Sequence, residues 1–249
     1  MNRLIYILPL LITMLVFNSC EEEAVRGCMD TTACNYDSTA TEADDASCIY
    51  AEPGYDCDGN CADNFMAGNN SYELDGQAVV IDYGCYDDYY YTYYDYYTGE
   101  DYDYFYEGYC SGVIGLPSSG LTFDAVDGDF AGTGSLIGLA VITDDGGMTV
   151  GSTYNVSTGD YYEINSIGSA SYDANYSANS DAIDIASGSM TLDSFSATTI
   201  ELSFDFTDEN GNAVVGCYSG PFDYYEYYYR HQELENNFRS KFEILSKNR

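Results

Sequence analysis

Between Gly27 and Tyr229 the chain contains no lysine and no arginine, and the same 203 residues carry 36 aspartates and glutamates. Any fold built from this stretch forms against its own charge. Self-repulsion destabilises a compact state unless salt or divalent cations screen it. The composition also excludes partners: with no cationic side chain to offer, the stretch is a poor ligand for phosphate, nucleic acid or anionic lipid. All seven basic residues sit at the two ends.

The amino end reads as an address. Asn2-Arg3 precedes an apolar run from Leu4 to Phe17, and Asn18-Ser19-Cys20 follows. A positive start and a 14-residue apolar segment make a secretory signal. The run is short for a membrane span, which needs about 20 apolar residues. Cys20 directly after a small residue resembles a bacterial lipoprotein signal, in which the cysteine is lipidated and becomes the first residue. Glu21 to Glu23 resemble the surface-export signals of lipoproteins from Bacteroidetes-type bacteria. Residues 1–19 are therefore expected to be a signal peptide and Cys20 a lipid anchor, placing the protein at the outer membrane or cell surface. A chain starting at Cys20 keeps six basic and 42 acidic residues, a formal charge of −36.

Eight further cysteines are Cys28, Cys34, Cys48, Cys57, Cys61, Cys85, Cys110 and Cys217. An even number in an oxidising compartment reads as disulfides. Five of them fall between Cys28 and Cys61, in a stretch too poor in large apolar residues to build a core, so covalent staples must hold it. Gly27-Cys28-Met29-Asp30, Ala33-Cys34-Asn35-Tyr36, Asp44-Asp45-Ala46-Ser47-Cys48 and Tyr55-Asp56-Cys57-Asp58-Gly59-Asn60-Cys61 resemble a short Cys/Asp-rich extracellular module of secreted Bacteroidetes-type proteins. The resemblance implies a cell-surface protein and attaches no chemistry. Within the module, Asp56, Asp58, Asn60 and Asp63 surround Gly59 in the layout of a calcium loop, without the closing glutamate of an EF-hand. The metal-free reading is a solvated acidic turn in a disulfide knot.

From Asn64 to Tyr229 the pattern is β. No stretch before residue 230 has a 3.6-residue apolar period, and short strand-like runs alternate with turn residues. The clearest is Thr199 to Thr207, where Ile200, Leu202, Phe204 and Phe206 alternate with polar residues. Asn210-Gly211 then predicts a hairpin into Ala213 to Tyr218. Other predicted strands are Ala78–Tyr83, Tyr102–Tyr109, Gly112–Leu116, Leu121–Val126, Leu136–Thr143, Thr153–Val156, Tyr161–Ile167, Ile183–Ala186 and Met190–Phe195. The expected fold is all-β, an antiparallel β-sandwich of residues 64–229 preceded by the disulfide module of residues 20–63. Leu116-Pro117-Ser118-Ser119-Gly120-Leu121, Gly132-Thr133-Gly134, Gly151-Ser152-Thr153-Tyr154 and the Phe204 to Gly220 hairpin resemble an all-β lipoprotein family of Bacteroidetes-type bacteria that carries no assigned activity. An odd number of cysteines in each part implies one bridge between them and one inside the β domain, expected at Cys85 and Cys110. Residues 230–249 reverse the charge, and Leu234, Phe238, Phe242 and Leu245 make a helical stripe.

Twelve tyrosines fall in the 24 residues from Tyr86 to Tyr109, interleaved with acids. A turn at Thr98-Gly99-Glu100-Asp101 is expected to fold them into a hairpin. One reading is a packed hairpin whose aspartates block aggregation. The other is a binding surface on Tyr89, Tyr91, Tyr93, Tyr102, Tyr104 and Tyr106, since tyrosine offers contact area at low entropy cost. Its partner would be a polysaccharide or a surface protein.

Enzymatic chemistry has little to work with. The one histidine, His231, lies beyond the β domain, so nucleophile systems that need it and His-rich zinc sites have no base or ligand there. Gly132-Thr133-Gly134 runs into a strand pattern and misses the dinucleotide fingerprint. A carboxylate pair for glycoside hydrolysis is the one catalytic alternative. A structural subunit that assembles by strand addition is another alternative. The expectation is a non-catalytic surface lipoprotein that contacts membrane only through its anchor, binds no nucleic acid and draws stability from calcium.

Overall fold

The computed structural model describes residues 23–86, 88–144, 146–157, 163–177 and 180–226. The predicted signal segment with Cys20 and the tail predicted to be helical lie outside the described residues. The chain divides into two compact units, Met1–Ala51 and Glu52–Arg249.

The first unit pairs β1 (Arg26–Gly27) with β2 (Glu42–Ala43) in parallel and adds a single 3-10 turn, Asp45–Ser47. Little else is regular, as a segment without a core requires. Arg26 is the only lysine or arginine among the described residues, and its guanidinium grips Glu42 through two bonds, at 2.7 and 3.1 Å. Cys28, 1 % exposed, is bonded to Cys48. Asp30 and Asp37 each take the backbone N–H and the hydroxyl of a threonine two residues on, Thr32 and Thr39. These bonds hold both carboxyls below the usual range: hydrogen bonds from Thr32 lead for Asp30 and from Thr39 for Asp37.

The second unit carries β3 (Asn64–Ala67), β4 (Asn70–Glu73), β5 (Ala78–Tyr86), β6 (Tyr89–Asp95), β7 (Glu100–Tyr106), β8 (Tyr109–Pro117), β9 (Leu121–Asp124), β10 (Asp129–Gly132), β11 (Gly134–Thr143), β12 (Thr153–Val156), β13 (Ser166–Tyr176), β14 (Ile183–Phe195), β15 (Thr199–Asp208) and β16 (Ala213–Glu226). The all-β expectation holds, and the sheet is large and mixed. Most neighbours are antiparallel, but β5 pairs with β16, and β12 with β13, in parallel. Following hydrogen-bonded neighbours from β5 through β8, β11, β13, β14, β15 and β16 leads back to β5, so the strand pairing closes a circuit. Closure leaves the strands of the circuit paired on both sides, with β3 and β4 running on from β16.

The closing strand changes partner along its length. Val214–Cys217 of β16 lies beside β3, while Phe222–Glu226 lies beside β5. Tyr218, 1 % exposed, fixes the switch. Its hydroxyl donates to the Pro221 carbonyl at 2.6 Å and accepts the Ala78 N–H at 3.0 Å. Gly220 has no room for a side chain because the Tyr218 hydroxyl would lie 2.7 Å from its Cβ.

The alternation read in Thr199–Thr207 is realised. Ile200, Leu202, Phe204 and Phe206 are at most 3 % exposed and face a core shared with Val80, Ile114, Leu139 and Val141 from the other side of the circuit. Burial of such side chains is worth about 1.5–3 kcal/mol each. A second cluster packs Leu121 and Phe130 of the β9–β10 hairpin on Val79, Ile81 and Val113.

All eight cysteines from Cys28 onward are disulfide-bonded. Cys85 is joined to Cys110, the pairing expected inside the β domain. Cys61, counted with the module in the sequence reading, is bonded to Cys217 of β16 and belongs to the larger unit.

Candidate functional site: a tyrosine arm

β6 and β7 form a two-stranded sheet of their own. The ladder of β5 with β8 ends at Tyr86 opposite Tyr109, and the arm continues from there with Tyr89 opposite Tyr106. Three contacts fix its base: the Cys85–Cys110 bridge, the Tyr86 and Tyr109 rings 5.1 Å apart, and the Gly108 N–H donating to Asp88 Oδ1 at 2.8 Å. The tip is Tyr96–Gly99, two residues earlier than the expected Thr98–Asp101 turn. Asp95 moves it: its Oδ1 accepts the N–H groups of Tyr97 and Thr98, and Gly99 takes the left-handed conformation at φ +72°.

The register sorts the belt. Tyr91 stands opposite Tyr104, and Tyr93 opposite Tyr102, with Tyr89 and Tyr106 in the pair below. Alternate positions share a face, so Tyr91, Tyr93, Tyr102 and Tyr104 form two cross-strand pairs on one face, and Tyr89 pairs with Tyr106 in the same ladder. Tyr91, Tyr93, Tyr102 and Tyr104 are 40–48 % exposed. Tyr90, opposite Phe105 with rings 4.8 Å apart, belongs to the other face, and Tyr96 and Tyr97 stand out at the tip. Thr92 donates to Asp103 across that face at 2.8 Å. Asp95 lies directly opposite Glu100, a like-charge pair that destabilises the sheet. An isolated two-stranded hairpin is marginal in water, and here its rings are left in solvent.

The Asp56–Asn60 turn has a self-contained explanation. Asp56 Oδ1 accepts the N–H groups of Asp58 and Asn60, Gly59 takes φ +81°, and the Asp56 N–H donates to the Asn60 carbonyl. The Asn60 side chain leads in holding the Asp56 carboxyl below its ordinary range. The hairpin between β15 and β16 repeats this loop: Asp208 Oδ1 accepts from the N–H groups of Asn210 and Asn212, and Gly211 takes φ +83°. The chain thus builds this turn twice, at Asp56–Asn60 and at Asp208–Asn212. Asp63 lies apart, accepting the Ser219 N–H at 2.7 Å; burial pushes its carboxyl up despite that bond. Among the described residues no group of three or more His, Cys, Asp or Glu side chains is placed to hold a metal ion.

The same device recurs through the chain. Asp75, Asp82, Asp124, Asp144 and Asp173 also accept backbone N–H groups. Where no cation is available, main-chain donors take its place. No protein family model, curated protein or solved structure matches this chain.

Proposed function

We propose that the chain is a non-catalytic, lipid-anchored surface protein that adheres to polysaccharide through its tyrosine arm. The observation that carries this reading is the arm itself: ladders of half-exposed rings on a hairpin stapled at its base and projecting from the main sheet. Exposed apolar patches of this kind mark interaction sites. Rings and hydroxyls suit a polar, uncharged polymer, and the surrounding carboxylates disfavour an acidic one. The carboxylates capping turns are structural in this reading, which favours binding over glycoside hydrolysis. The closed sheet is read as flattened into two facing layers, the tail as a short amphipathic helix, and calcium as screening for the net charge.

Two changes test the reading in a secreting bacterial host. Cys20→Ser is expected to abolish incorporation of a labelled fatty acid and to release the protein from the outer membrane; unchanged labelling removes the anchor. Serine at Tyr91, Tyr93, Tyr102 and Tyr104 is expected to leave display intact and abolish retention of displaying cells on insoluble polysaccharide. Retention equal to wild type removes the arm from the account.

A further inference from the structure

At the base of the arm, beside the Cys85–Cys110 bridge, lies a cavity of about 330 Å3. Its lining includes Val80, Ile114, Val141, Met148 and Phe195, with Asp82 and Tyr224, and holds no basic side chain. Pockets that bind small molecules begin at about 300 Å3 and combine apolar walls with a few placed polar groups. Here the placed group is the Asp82 carboxylate. Gly84 N–H donates to its Oδ1 and the Tyr224 hydroxyl to its Oδ2, each at 2.7 Å. Both bonds fix its orientation; neither brings a countercharge. A half-buried carboxylate against apolar walls gains most from a cation, and the aromatic residues Phe195 and Tyr224 are part of the same lining.

We propose that this cavity binds a small ammonium ligand with an apolar body, an aryl or alkyl amine of about benzylamine size. The ammonium pairs with Asp82 and the hydrocarbon lies against Val80, Ile114, Val141 and Met148. Anions are excluded by the carboxylate and by the field of a chain with formal charge −35. Neutral isosteres gain only the apolar contact.

The test titrates the whole secreted protein with benzylamine, benzyl alcohol and benzoate, following methyl resonances of Val80, Ile114 and Val141. Benzylamine is expected to saturate, to bind at least about tenfold more tightly than the alcohol, and benzoate not to bind. Asp82→Asn keeps an acceptor for the Gly84 N–H and is expected to bring benzylamine down to the level of the alcohol. Met148→Trp, placed on a loop, is expected to fill the cavity and remove both. Equal binding of amine and alcohol to wild type, or no saturable shift with benzylamine, overturns the proposal. The four-serine arm variant is expected to bind benzylamine as wild type does, so failure here and failure of the arm reading are separable.

Discussion

Replacing both Cys61 and Cys217 by alanine is expected to lower the stability of the larger unit by about 4 kcal/mol. The bridge spans 156 residues, against 20 for Cys28–Cys48 and 25 for Cys85–Cys110. Chain entropy gives about 5 kcal/mol for a loop of that size, and the Cys85–Cys110 bridge nested inside it reduces the figure somewhat. Native contacts add to the effect. Cys217 is 2 % exposed in β16, and the segment entering Cys61 lies against that strand so closely that a Cβ on Gly54 would stand 2.7 Å from Gly216 Cα. The melting temperature is expected to fall by about 8–16 °C for a unit of this size. Calorimetry of the paired alanine variant checks it; an unchanged melt means that the bridge constrains nothing the fold needs.

The second large effect is Asp208→Ala, expected to cost about 3 kcal/mol at pH 7. Asp208 is 1 % exposed and accepts from the Asn210 and Asn212 N–H groups, the Asn212 amide at 3.0 Å and the Tyr172 hydroxyl at 3.0 Å. Burial pushes its carboxyl up, but these bonds, with Asn212 foremost, together hold it below the usual range. A carboxyl depressed by folding stabilises fully above its unfolded value of about 3.9 and loses that contribution as pH falls through the folded value. The gap between wild type and Asp208→Ala in urea melts is therefore expected to be full at pH 7 and to shrink below about pH 4. Asp56→Ala breaks the same loop at an exposed position and is expected to change stability much less. Tyr172 works in the other direction. Burial, then the bond to Asp208 and nearby negative charge, push its hydroxyl up to about 12. Its contribution is full below about pH 10 and is lost as pH rises from there through about 12. A pH-independent gap at Asp208 would contradict the role given to its charge.

Residues that act on near neighbours were legible. Alternation in Thr199–Thr207 and the Asn210-Gly211 pair specify β15, its turn and β16, because a hairpin depends on local pattern. The cysteines flanking the tyrosine belt pointed to their own bridge for the same reason. Long-range pairing was hidden: nothing in Ala78–Asp82 announces a parallel neighbour at Phe222–Glu226, and no periodicity marks a closed circuit. The predicted strand Tyr161–Ile167 meets β13 only at Ser166–Ile167, after a turn at Ile164–Asn165, and β13 runs on to Tyr176 because Ser, Ala, Asn and Asp dilute its apolar signal around Ala170 and Tyr172. The sequence pattern breaks β14 at Ser187-Gly188-Ser189, where glycine reads as an interruption. In the fold it is a close approach: at φ +118° Gly188 passes against the Asp205 carbonyl, leaving no space for a Cβ. The β3–β4 hairpin gives no strand pattern in the sequence because its strands are four residues each. The arm was visible as composition, but its two faces depend on a turn that Asp95 shifts by two residues. The cavity draws on residues between Val80 and Tyr224, and no spacing reveals such a set.

The most direct measurement of the arm's role is retention of the purified protein on insoluble chitin and cellulose, with and without calcium, beside the variant carrying serine at Tyr91, Tyr93, Tyr102 and Tyr104. Each stacked ring contributes about 1 kcal/mol, so the variant is expected to lose retention more than roughly tenfold while melting within a few degrees of wild type. Equal retention of the two proteins, at equal fold stability, would contradict a polysaccharide-binding tyrosine arm.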